Sequence, residues 1–244
     1  MNTTVKSAGD KIFAKNASWS FGGKVAQNFN NHILRSVPFY LEGHKIIINL
    51  SDFLLKNKSV CYDLGCSTGI LLKQLNKKHH NKKIIFNGVD SVKEMVNFSK
   101  KKIETKNKNT NKINFIKKDL KKLKFVKNDL VISYYTMQFI KPEYRQSILN
   151  KIYKSLKFNG GLIIFEKTRA SDARFQDIFN SVYNEFKIEN NYSFDEIMNK
   201  YRSLKGILEP FTDKENLNHF KKAGFSYVTT VFQWTCFKGY LCIK

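Results

Sequence analysis

From about residue 43 onward, short apolar runs alternate with segments whose apolar residues recur at helical spacing. Five of these runs have the length and composition of buried β-strands. They are Ser59–Leu64, Lys83–Val89, Ile113–Lys117, Asp129–Tyr135 and Leu162–Phe165. Helical patterns lie between several of them, at Ile70–Leu75, Val92–Thr105 and Pro142–Leu156. Because strands separated by helices at this interval form parallel βαβ units, the sequence predicts an α/β protein with a doubly wound, mostly parallel sheet.

The pattern changes toward the C-terminus. A turn at residues 159–161 leads into the fifth strand, and a helical pattern at Lys214–Ala223 ends at Gly224. Two adjacent strand patterns follow, Tyr227–Gln233 and Phe237–Ile243. Strands this close in sequence pair as a hairpin, so we predict an antiparallel pair at one edge of the sheet.

These elements divide the chain into three parts. Residues 43–170 and 209–244 form the predicted Rossmann-like core. Residues 171–208 contain two helical patterns after the fifth strand, and we expect them to form a helical cap. Residues 1–42 precede the core, and we expect this N-terminal extension to lie across the ligand-binding edge of the sheet.

The composition is that of a folded protein. The chain has 244 residues, 42% hydrophobic and 14% aromatic, which is enough apolar side chain for a sizeable core. No apolar run approaches about 18 residues, so we expect no membrane-spanning segment. The polar N-terminus lacks the apolar stretch of a signal peptide. Four cysteines form no Cys-x-x-Cys pair, and we therefore expect a reduced, cytoplasmic protein.

The charge is strongly positive. The chain carries 43 lysine and arginine residues against 20 acidic ones, a net charge of +23. The segment from Lys73 to Lys127 contains 18 lysines and only four acidic residues. Within it, a lysine- and asparagine-rich loop is predicted at Lys106–Lys112. Only five basic residues of the chain are arginines, and no aromatic series is interleaved with the lysines. Because arginine and aromatic side chains favour base and phosphate recognition, we expect a solvated surface rather than direct nucleic-acid binding.

The first chemical signal is the segment Asp63–Gly69 (DLGCSTG), which follows the first strand. Gly65 and Gly69 allow a tight strand-to-helix turn and the close approach of a ligand to the backbone. The helix that follows offers free N–H groups at its start. The segment lacks the G-x-G-x-x-G spacing of dinucleotide-binding folds and the Gly-Lys-Ser/Thr of a P-loop. It therefore indicates a ligand-binding turn of another kind.

Two acidic residues end the next strands. Asp90 follows the second strand, where a carboxylate in a doubly wound fold accepts hydrogen bonds from ribose hydroxyls. Asp119 follows the third, where a side chain can reach an adenine edge. Taken singly, Asp90 could be a helix N-cap and Asp119 a turn residue. Because the glycine turn and both acids lie at the carboxyl ends of successive strands, the pattern favours an adenosine-containing ligand.

Short motifs in order along the chain resemble those of one family. They are Trp19-Ser20-Phe21, Val25-Ala26, Arg35–Tyr40 (RSVPFY), Tyr62–Ser67, Thr136–Phe139, Lys151–Tyr153, Glu166-Lys167, Tyr201–Ser203, Ala223–Phe225 and Phe232-Gln233. Together they cover roughly residues 17–244 and resemble the carboxy-S-adenosyl-L-methionine synthase family, a branch of the class I S-adenosylmethionine-dependent methyltransferases. The Arg-Ser-Val-Pro-x-Tyr and Arg-Ser motifs are far more specific than the glycine turn.

The resemblance implies an unusual reaction for this fold. Members of the family do not transfer the methyl group of S-adenosylmethionine. They convert S-adenosylmethionine and prephenate into carboxy-S-adenosylmethionine and phenylpyruvate, and a second enzyme uses the product to carboxymethylate wobble uridine in tRNA. In the family's proposed mechanism, hydroxide from prephenate removes a proton from the sulfonium methyl group, and the ylide captures the released carbon dioxide. The family forms dimers, so the resemblance also implies a homodimer.

The resemblance assigns residues as well. Arg202, in Tyr201-Arg202-Ser203, would clamp the new carboxylate, since a guanidinium holds a carboxylate bidentately. Its alternative interpretation is a helix-surface arginine. The cofactor-binding residues implied are Tyr40, Gly65, Cys66, Ser67, Asp90, Ser91, Asp119, Leu120, Tyr134 and Arg202. Among them, residues 65–67 would cradle the methionine part, Asp90 with Ser91 the ribose, and Asp119 with Leu120 the adenine. Tyr40 could instead be a core tyrosine.

Two positions depart from the family pattern. Tyr134 stands where the family has an asparagine that would contact the cofactor, and tyrosine offers only a hydroxyl. Either the pocket is reshaped here or the backbone alone supplies the contact. Gly22-Gly23 replace an acidic pair in the N-terminal motif, which would loosen that segment. Arg35 has two open interpretations: it binds a carboxylate of prephenate, or it fixes the N-terminal segment.

The remaining candidates carry less chemistry. His79-His80 has no cysteine or carboxylate at ligand spacing, so we predict a solvated turn and no metal site. Cys66 has no histidine base nearby in sequence, which argues against nucleophilic catalysis. Apolar residues at helical spacing within the cap indicate core packing or a dimer interface. They are Phe175, Phe179, Val182 and Phe186.

Two other functions remain open at this point. An ordinary S-adenosylmethionine-dependent methyltransferase acting on a small acidic metabolite would use the same cofactor turn, and Tyr134 is the departure that favours it. A non-catalytic nucleic-acid-binding protein would use the surface between Lys73 and Lys127.

Overall fold

The computed structural model describes residues 5–23, 25–103 and 110–244. A two-stranded hairpin of β1 (Lys6–Ser7) and β2 (Phe13–Ala14) precedes the main sheet. The seven strands of that sheet are β3 (Val60–Leu64), β4 (Ile85–Asp90), β5 (Lys112–Lys117), β6 (Asn128–Tyr134), β7 (Leu156–Lys167), β8 (Tyr227–Trp234) and β9 (Phe237–Ile243). The seven strands predicted from the apolar pattern are therefore confirmed.

The strand order in the main sheet is β5-β4-β3-β6-β7-β9-β8. Strands β3 to β7 pair in parallel, whereas β9 pairs antiparallel with both β7 and β8. The chain thus leaves β3 toward β4 on one side and returns to β6 on the other. A crevice forms at such a point outside the carboxyl ends of the strands, where doubly wound folds bind their ligands. The predicted α/β fold with a C-terminal antiparallel hairpin is confirmed.

Eight helices accompany the strands in the described part of the chain. They are α1 (Val25–Ser36), α2 (Tyr40–Leu54), α3 (Ile70–Lys78), α4 (Lys93–Lys102), α5 (Pro142–Ser155), α6 (Ala173–Glu189), α7 (Phe194–Ser203) and α8 (Asp213–Ala223). The end of the predicted helix Val92–Thr105 and most of the predicted lysine-rich loop fall on residues 104–109, outside the described residues. None of the described helices is both long and apolar enough to cross a membrane.

Helices cover both faces of the sheet. Along β7, Ile163 and Phe165 pack into the core that contains α2 and α3, while Leu162 and Ile164 pack into the core that contains α5 and α8. Successive side chains of a strand point to opposite faces, so a strand buried on both faces is apolar without interruption. This explains why the run Leu162–Phe165 contains no polar residue.

Strand β7 is longer than predicted. It begins at Leu156, directly after α5, although a turn was predicted at residues 159–161. The chain does bend there, since Asn159 has a positive φ and the register against β6 shifts between Asn128 and Leu130. Hydrogen bonds to Lys244 at the end of the chain nevertheless continue the ladder past the bend. The sequence prediction missed this pairing because it depends on a residue 84 positions away.

The N-terminal extension is tied to the helical cap, which comprises α6 and α7. The backbone N–H groups of Ala17 and Trp19 donate to the carbonyls of Arg202 and Ser203 at the end of α7, at 3.0 and 3.1 Å. Helix α2 begins at Tyr40 and runs into the core, so it crosses the boundary predicted at residue 42. The two cap helices occur where the sequence predicted them.

Candidate active site

A cavity of about 430 Å³ lies at the carboxyl ends of the central strands, within the size range of small-molecule sites. Nine of the ten predicted cofactor-binding residues line it. They are Tyr40, Gly65, Cys66, Ser67, Asp90, Ser91, Asp119, Leu120 and Tyr134. The carboxyl ends of parallel strands meet at one edge of the sheet, and this brings together residues that are up to 94 positions apart. Their assignment to particular parts of S-adenosylmethionine stays a prediction.

The glycine turn is held against the neighbouring strand. The N–H groups of Gly65 and Cys66 both donate to the carbonyl of Val89, at 2.7 and 3.1 Å. Gly65 has φ +72°, and a Cβ there would stand 2.2 Å from Oγ1 of Thr136. Only glycine satisfies both conditions, so the backbone of the turn forms the cavity wall directly. Because the two N–H groups are engaged by β4, the turn meets a ligand with its other backbone atoms.

Asp90 fixes the turn as well as facing the cavity. Its Oδ2 accepts from the N–H of Ser67 and its Oδ1 from the N–H of Val92, each at 2.9 Å. Burial raises the pKa of this carboxyl, and the backbone hydrogen bonds oppose that shift. The N-cap of α4 is Val92, so Asp90 is not the helix N-cap considered from the sequence. Each carboxylate oxygen can accept a further hydrogen bond, so holding the turn and binding a ribose are compatible.

Asp119 has both features considered from the sequence. Its Oδ1 accepts from the N–H of Lys121 at 2.8 Å and so caps a short 3₁₀ turn, Leu120–Lys122. Asp119 and Leu120 line the cavity beside this turn. Leu120 is 7% exposed, which makes it an apolar surface of the kind that packs against a base.

Asp63 is a cavity residue that the sequence analysis did not select. It lies near the end of β3, is 2% exposed, and lines the cavity. Burial raises its pKa to about 7, and the charge of Asp90 adds to the shift. The sequence contained the signal, because Asp63 opens the glycine turn. An acidic residue at the end of a buried strand is costly unless a cation compensates it.

The cap also lines the cavity, with residues to which the sequence analysis assigned no role in the site. Lys167, at the end of β7, and Lys200, on α7, both line the cavity, together with Tyr183 of α6 and Trp19 of the extension. Burial is the main cause that lowers the pKa of each lysine, to about 7 in the case of Lys200. Lys167 belongs to the family motif Glu166-Lys167, whereas nothing local in the sequence sets Lys200 apart from the other lysines.

Comparison with known proteins agrees with this geometry. Residues 61–160 match a family model described as a methyltransferase domain. The plantazolicin methyltransferase, solved in complex with a substrate analogue and S-adenosylhomocysteine, superimposes with a TM-score of 0.63 at 16% identity, covering 88% of this chain and 89% of that chain. This likeness shows the class I methyltransferase fold.

Two curated relatives are more informative. The carboxy-S-adenosyl-L-methionine synthase of Campylobacter lari is 36% identical over 238 residues, covering 96% of this chain and 99% of the relative. The one of Sulfurimonas denitrificans is 34% identical over 237 residues with the same coverage. The chain belongs to the carboxy-S-adenosyl-L-methionine synthase family. The family predicted from the sequence motifs is confirmed, and S-adenosylmethionine is the substrate that the fold and the family share.

Tyr134 is the position predicted to depart from the family pattern, and the structure shows how its side chain is used. Its hydroxyl donates to the carbonyl of Tyr40 at 2.7 Å, and its ring packs against those of Tyr40, His44 and Phe165. Burial raises the pKa of the hydroxyl, which stays protonated. Because this single O–H is directed at α2, the tyrosine joins two elements rather than offering a donor to a ligand.

Arg202 is the one predicted site residue that does not line the cavity. It is exposed on the last turn of α7. The alternative interpretation, a helix-surface arginine, describes its place within a single chain.

Arg35 donates from Nε and a terminal nitrogen to the carbonyls of Asn190 and Asn191, at 2.8 and 2.7 Å, and pairs with Asp10. Of its two open interpretations, the structure places it where it fixes the N-terminal segment to the cap.

Three further predictions concern residues outside the binding wall. His79 is 1% exposed and its Nε2 lies 2.8 Å from Oγ of Ser51, so the prediction of a solvated turn was wrong for His79. It directly follows α3 and packs against α2, a contact that the polar sequence around it did not indicate.

Burial raises the pKa of the Cys66 thiol well above its usual range, which keeps it protonated. In the described ranges, no group of three or more histidine, cysteine or acidic residues is arranged to hold a metal ion.

The apolar stripe of the cap is mostly packed. Phe179 packs against the core on the α2 and α3 face, and the ring of Phe186 meets those of Tyr183 and Trp234. Phe175 is 54% exposed at the start of the same helix. Core packing therefore accounts for most of the stripe, and Phe175 lies on the free surface of this chain.

Proposed function

We propose that this protein converts S-adenosylmethionine and prephenate into carboxy-S-adenosylmethionine and phenylpyruvate. One observation carries the proposal: nine residues that match the family's cofactor site converge on a single cavity, in a chain that aligns with its relatives over nearly its whole length. The names of those relatives support carboxy-S-adenosylmethionine as the product.

The proposed reaction proceeds by loss of carbon dioxide and hydroxide, removal of a proton and formation of a carbon–carbon bond. Prephenate loses carbon dioxide and hydroxide and becomes phenylpyruvate. The hydroxide takes one proton from the sulfonium methyl group and becomes water, which leaves a sulfonium ylide. The carbanion of the ylide then forms a carbon–carbon bond to carbon dioxide, giving the carboxymethyl sulfonium. No methyl group leaves sulfur in this sequence.

Such a reaction requires that bulk water be kept from the ylide and the carbon dioxide. The cavity has apolar walls from three parts of the chain: Trp19 and Phe21 from the extension, Tyr183 from the cap and Phe237 from β9. Trp19 and Phe237 are 7% and 2% exposed. Aromatic side chains in these positions exclude water while leaving room for the ring of prephenate.

The clamp by Arg202 requires a second copy of the chain. Since the Arg202 side chain is exposed outside its own cavity, it can reach a bound carboxylate only in a neighbouring subunit. We therefore propose a homodimer in which Arg202 of one protomer faces the cavity of its partner. Exposed apolar residues beside Arg202 support a protein contact there; Tyr201 and Phe194 on α7 are 56% and 69% exposed.

The product fits a role in tRNA modification. A carboxymethyl sulfonium is a donor for a second enzyme, and we propose that it supplies carboxymethylation of wobble uridine. Both proteins would then work in the cytoplasm, where tRNA is modified.

The test is mass spectrometry of the nucleoside formed when the purified protein receives S-adenosylmethionine and prephenate. We expect a product heavier than S-adenosylmethionine by one carboxylate group, and we expect Arg202→Ala to abolish it. Lys221→Met, on the exposed surface of α8, is the control for loss of one positive charge. Unchanged S-adenosylmethionine from the wild-type protein would refute the proposal.

A second candidate function has one observation in its favour. Tyr134 replaces the family's asparagine, and its hydroxyl is engaged by Tyr40. A cofactor site altered in this way would suit an ordinary methyltransferase acting on a small acidic metabolite. Release of S-adenosylhomocysteine together with a methylated acid, unaffected by Arg202→Ala, would decide for this candidate.

A further inference from the structure

The cap side of the cavity concentrates positive charge. Lys167 and Lys200 line the cavity, and Lys187 of α6 lies behind them with 8% exposure. The ammonium groups of Lys167 and Lys187 stand 4.2 and 4.0 Å from the centre of the Tyr183 ring. Each of the three lysines acts electrostatically on at least one of the others. Three cations around one wall repel each other, so the free protein bears a cost at this place.

No acidic side chain balances this charge directly. Of the described carboxylates, only Asp10 acts electrostatically on the group, and it does so on Lys200. Asp10 is already paired with Arg35 and hydrogen bonded to His32. Burial together with the like charges lowers the pKa of both Lys187 and Lys200 to about 7. Buried cations without counter-charge are rare in proteins and mark places where an anion is bound.

Lys200 is held in a defined position. Nδ1 of His32 lies 2.8 Å from Oδ2 of Asp10 and donates to it, so Nε2 of the same ring is left as an acceptor. The ammonium of Lys200 donates to that Nε2 at 2.7 Å and to Oγ of Ser36 at 3.0 Å. An ammonium group has three N–H donors. Among the described residues two of the three are engaged, which leaves one for a ligand in the cavity.

Lys167 is placed differently. Its ammonium lies over the rings of Tyr183 and Phe237, at 4.2 and 5.6 Å from their centres, and has no hydrogen-bond acceptor among the described residues. All three of its N–H donors are therefore available. Trp19 adds a further donor to this wall: its indole N–H is buried and has no partner in the described part of the chain, and the Lys200 ammonium lies 5.3 Å from its ring.

We propose that Lys167 and Lys200 form a dicarboxylate-binding site that holds the second substrate against the cap side of the cavity. The site rests on the proposed function for the identity of that substrate: prephenate has two carboxylates joined by a ring. Lys200 takes one carboxylate, Lys167 takes the other, and the aromatic surfaces of Trp19, Tyr183 and Phe237 contact the ring. Two separate ammonium groups with apolar surface between them suit a dianion with an apolar body better than a single phosphate or carboxylate.

The experiment uses Lys167→Met and Lys200→Met, because methionine keeps much of the unbranched stem and removes the charge. Lys221→Met, exposed on α8, is the matched control. Binding of prephenate is measured by calorimetry on protein saturated with S-adenosylhomocysteine, which cannot react. Each cap variant should weaken prephenate binding by about 10- to 100-fold, the range for a lost charge-assisted hydrogen bond. The dissociation constant for S-adenosylhomocysteine should change less than twofold, because the residues predicted to bind the nucleoside, Asp90 and Asp119, are different from the two lysines.

The outcomes separate this proposal from the proposed function. Prephenate binding that is unchanged in both variants overturns the lysine site, whether or not the wild-type protein forms product. Binding to the wild-type protein that is lost in the variants, without any carboxymethyl product, supports the site and refutes the reaction. No binding to the wild-type protein refutes both. The thermal midpoint separates a structural role for Lys167: its ammonium has no hydrogen-bond acceptor among the described residues, so Lys167→Met should leave the midpoint equal or higher, and a clear fall would indicate a structural role.

Discussion

Asp63 is the residue whose protonation depends most directly on what the cavity contains. In the free protein, burial and the nearby charge of Asp90 hold its pKa at about 7. S-adenosylmethionine carries two positive groups, the sulfonium and the ammonium. A cation nearby favours the charged carboxylate and lowers its pKa, so binding should release a proton from Asp63.

The release of a proton from Asp63 on binding makes the affinity for S-adenosylmethionine depend on pH. Below about pH 7, Asp63 must lose its proton when S-adenosylmethionine binds, so the affinity should fall as the pH is lowered from 8 to 6. Calorimetry at pH 7 in buffers of different ionisation enthalpy should show net proton release. Asp63→Asn should bind more weakly and lose most of this pH dependence. Proton release that is equal in the variant would mean that another group, such as Asp90, is responsible.

Lys167 and Lys200 are the positively charged counterparts of Asp63 in the cavity. The ammonium groups of these lysines and the carboxyl of Asp63 line the same cavity. A cationic cofactor is favoured beside the carboxyl, and an anionic second substrate beside the lysines. Burial is the largest cause both of the raised pKa of Asp63 and of the lowered pKa of Lys200.

At the scale of elements, the joint between α2 and β6 positions the N-terminal side of the cavity. The hydroxyl of Tyr134 at the end of β6 crosses to the carbonyl of Tyr40 at the start of α2. Gly43, one turn along α2, makes room for it: a Cβ there would stand 2.1 Å from the hydroxyl oxygen and 2.9 Å from Cζ of the ring. The glycine and the unusual tyrosine are therefore matched to each other.

Gly43→Ala should destabilise the protein through this overlap. Inserting a methyl group into a packed core costs about 1–3 kcal/mol, against a gain of about 1 kcal/mol from the better helix propensity of alanine. Urea unfolding should show that Gly43→Ala costs less in a Tyr134→Phe background, where the hydroxyl oxygen is absent. Gly22→Ala is the control, since its Cβ would meet only Oγ of Ser20, at 3.5 Å. Equal costs in both backgrounds would contradict the account.

At the scale of the whole molecule, the extension and the cap close the cavity together. Arg35 links α1 to the turn between the cap helices, and the segment at residues 17–19 hydrogen bonds to the end of α7. Arg202 is at the end of α7, where the extension binds, but it is exposed and does not line the cavity of its own chain. The proposed homodimer makes a distinct prediction about it.

Subunit mixing tests the dimer directly. Arg202→Ala and Asp90→Ala should each be nearly inactive alone. When the two variants are co-expressed, random pairing makes half of the dimers mixed, and each mixed dimer contains one intact cavity completed by its partner's arginine. Activity should then recover to about a quarter of the wild-type value per chain, as expected for a twofold-symmetric dimer. No recovery, with a dimeric mass in light scattering, would show that Arg202 does not act across the interface.

The sequence by itself determined the fold and the cofactor side of the cavity. Strand patterns, the turn from Asp63 to Gly69 and the acids at Asp90 and Asp119 are local signals. The topology of a parallel sheet is enough to bring them together, because the carboxyl ends of its strands meet at one edge. The family motifs could be recognised for a similar reason: each is a short run of residues whose identity and order are visible in the sequence.

Only the tertiary structure decided which side chains face one another across the cavity. Lys200 is an ordinary lysine in a lysine-rich chain until α7 brings it over the ring of Trp19, and the motif that contains Lys167 does not show that its ammonium lies over the ring of Tyr183. Tyr134, His79 and Arg202 were equally undetermined, since each depends on the element packed against it: α2 engages Tyr134 and covers His79, and nothing covers Arg202 within one chain. Burial and electrostatic environment arise from contacts distant in sequence, and these contacts exist only once the chain is folded.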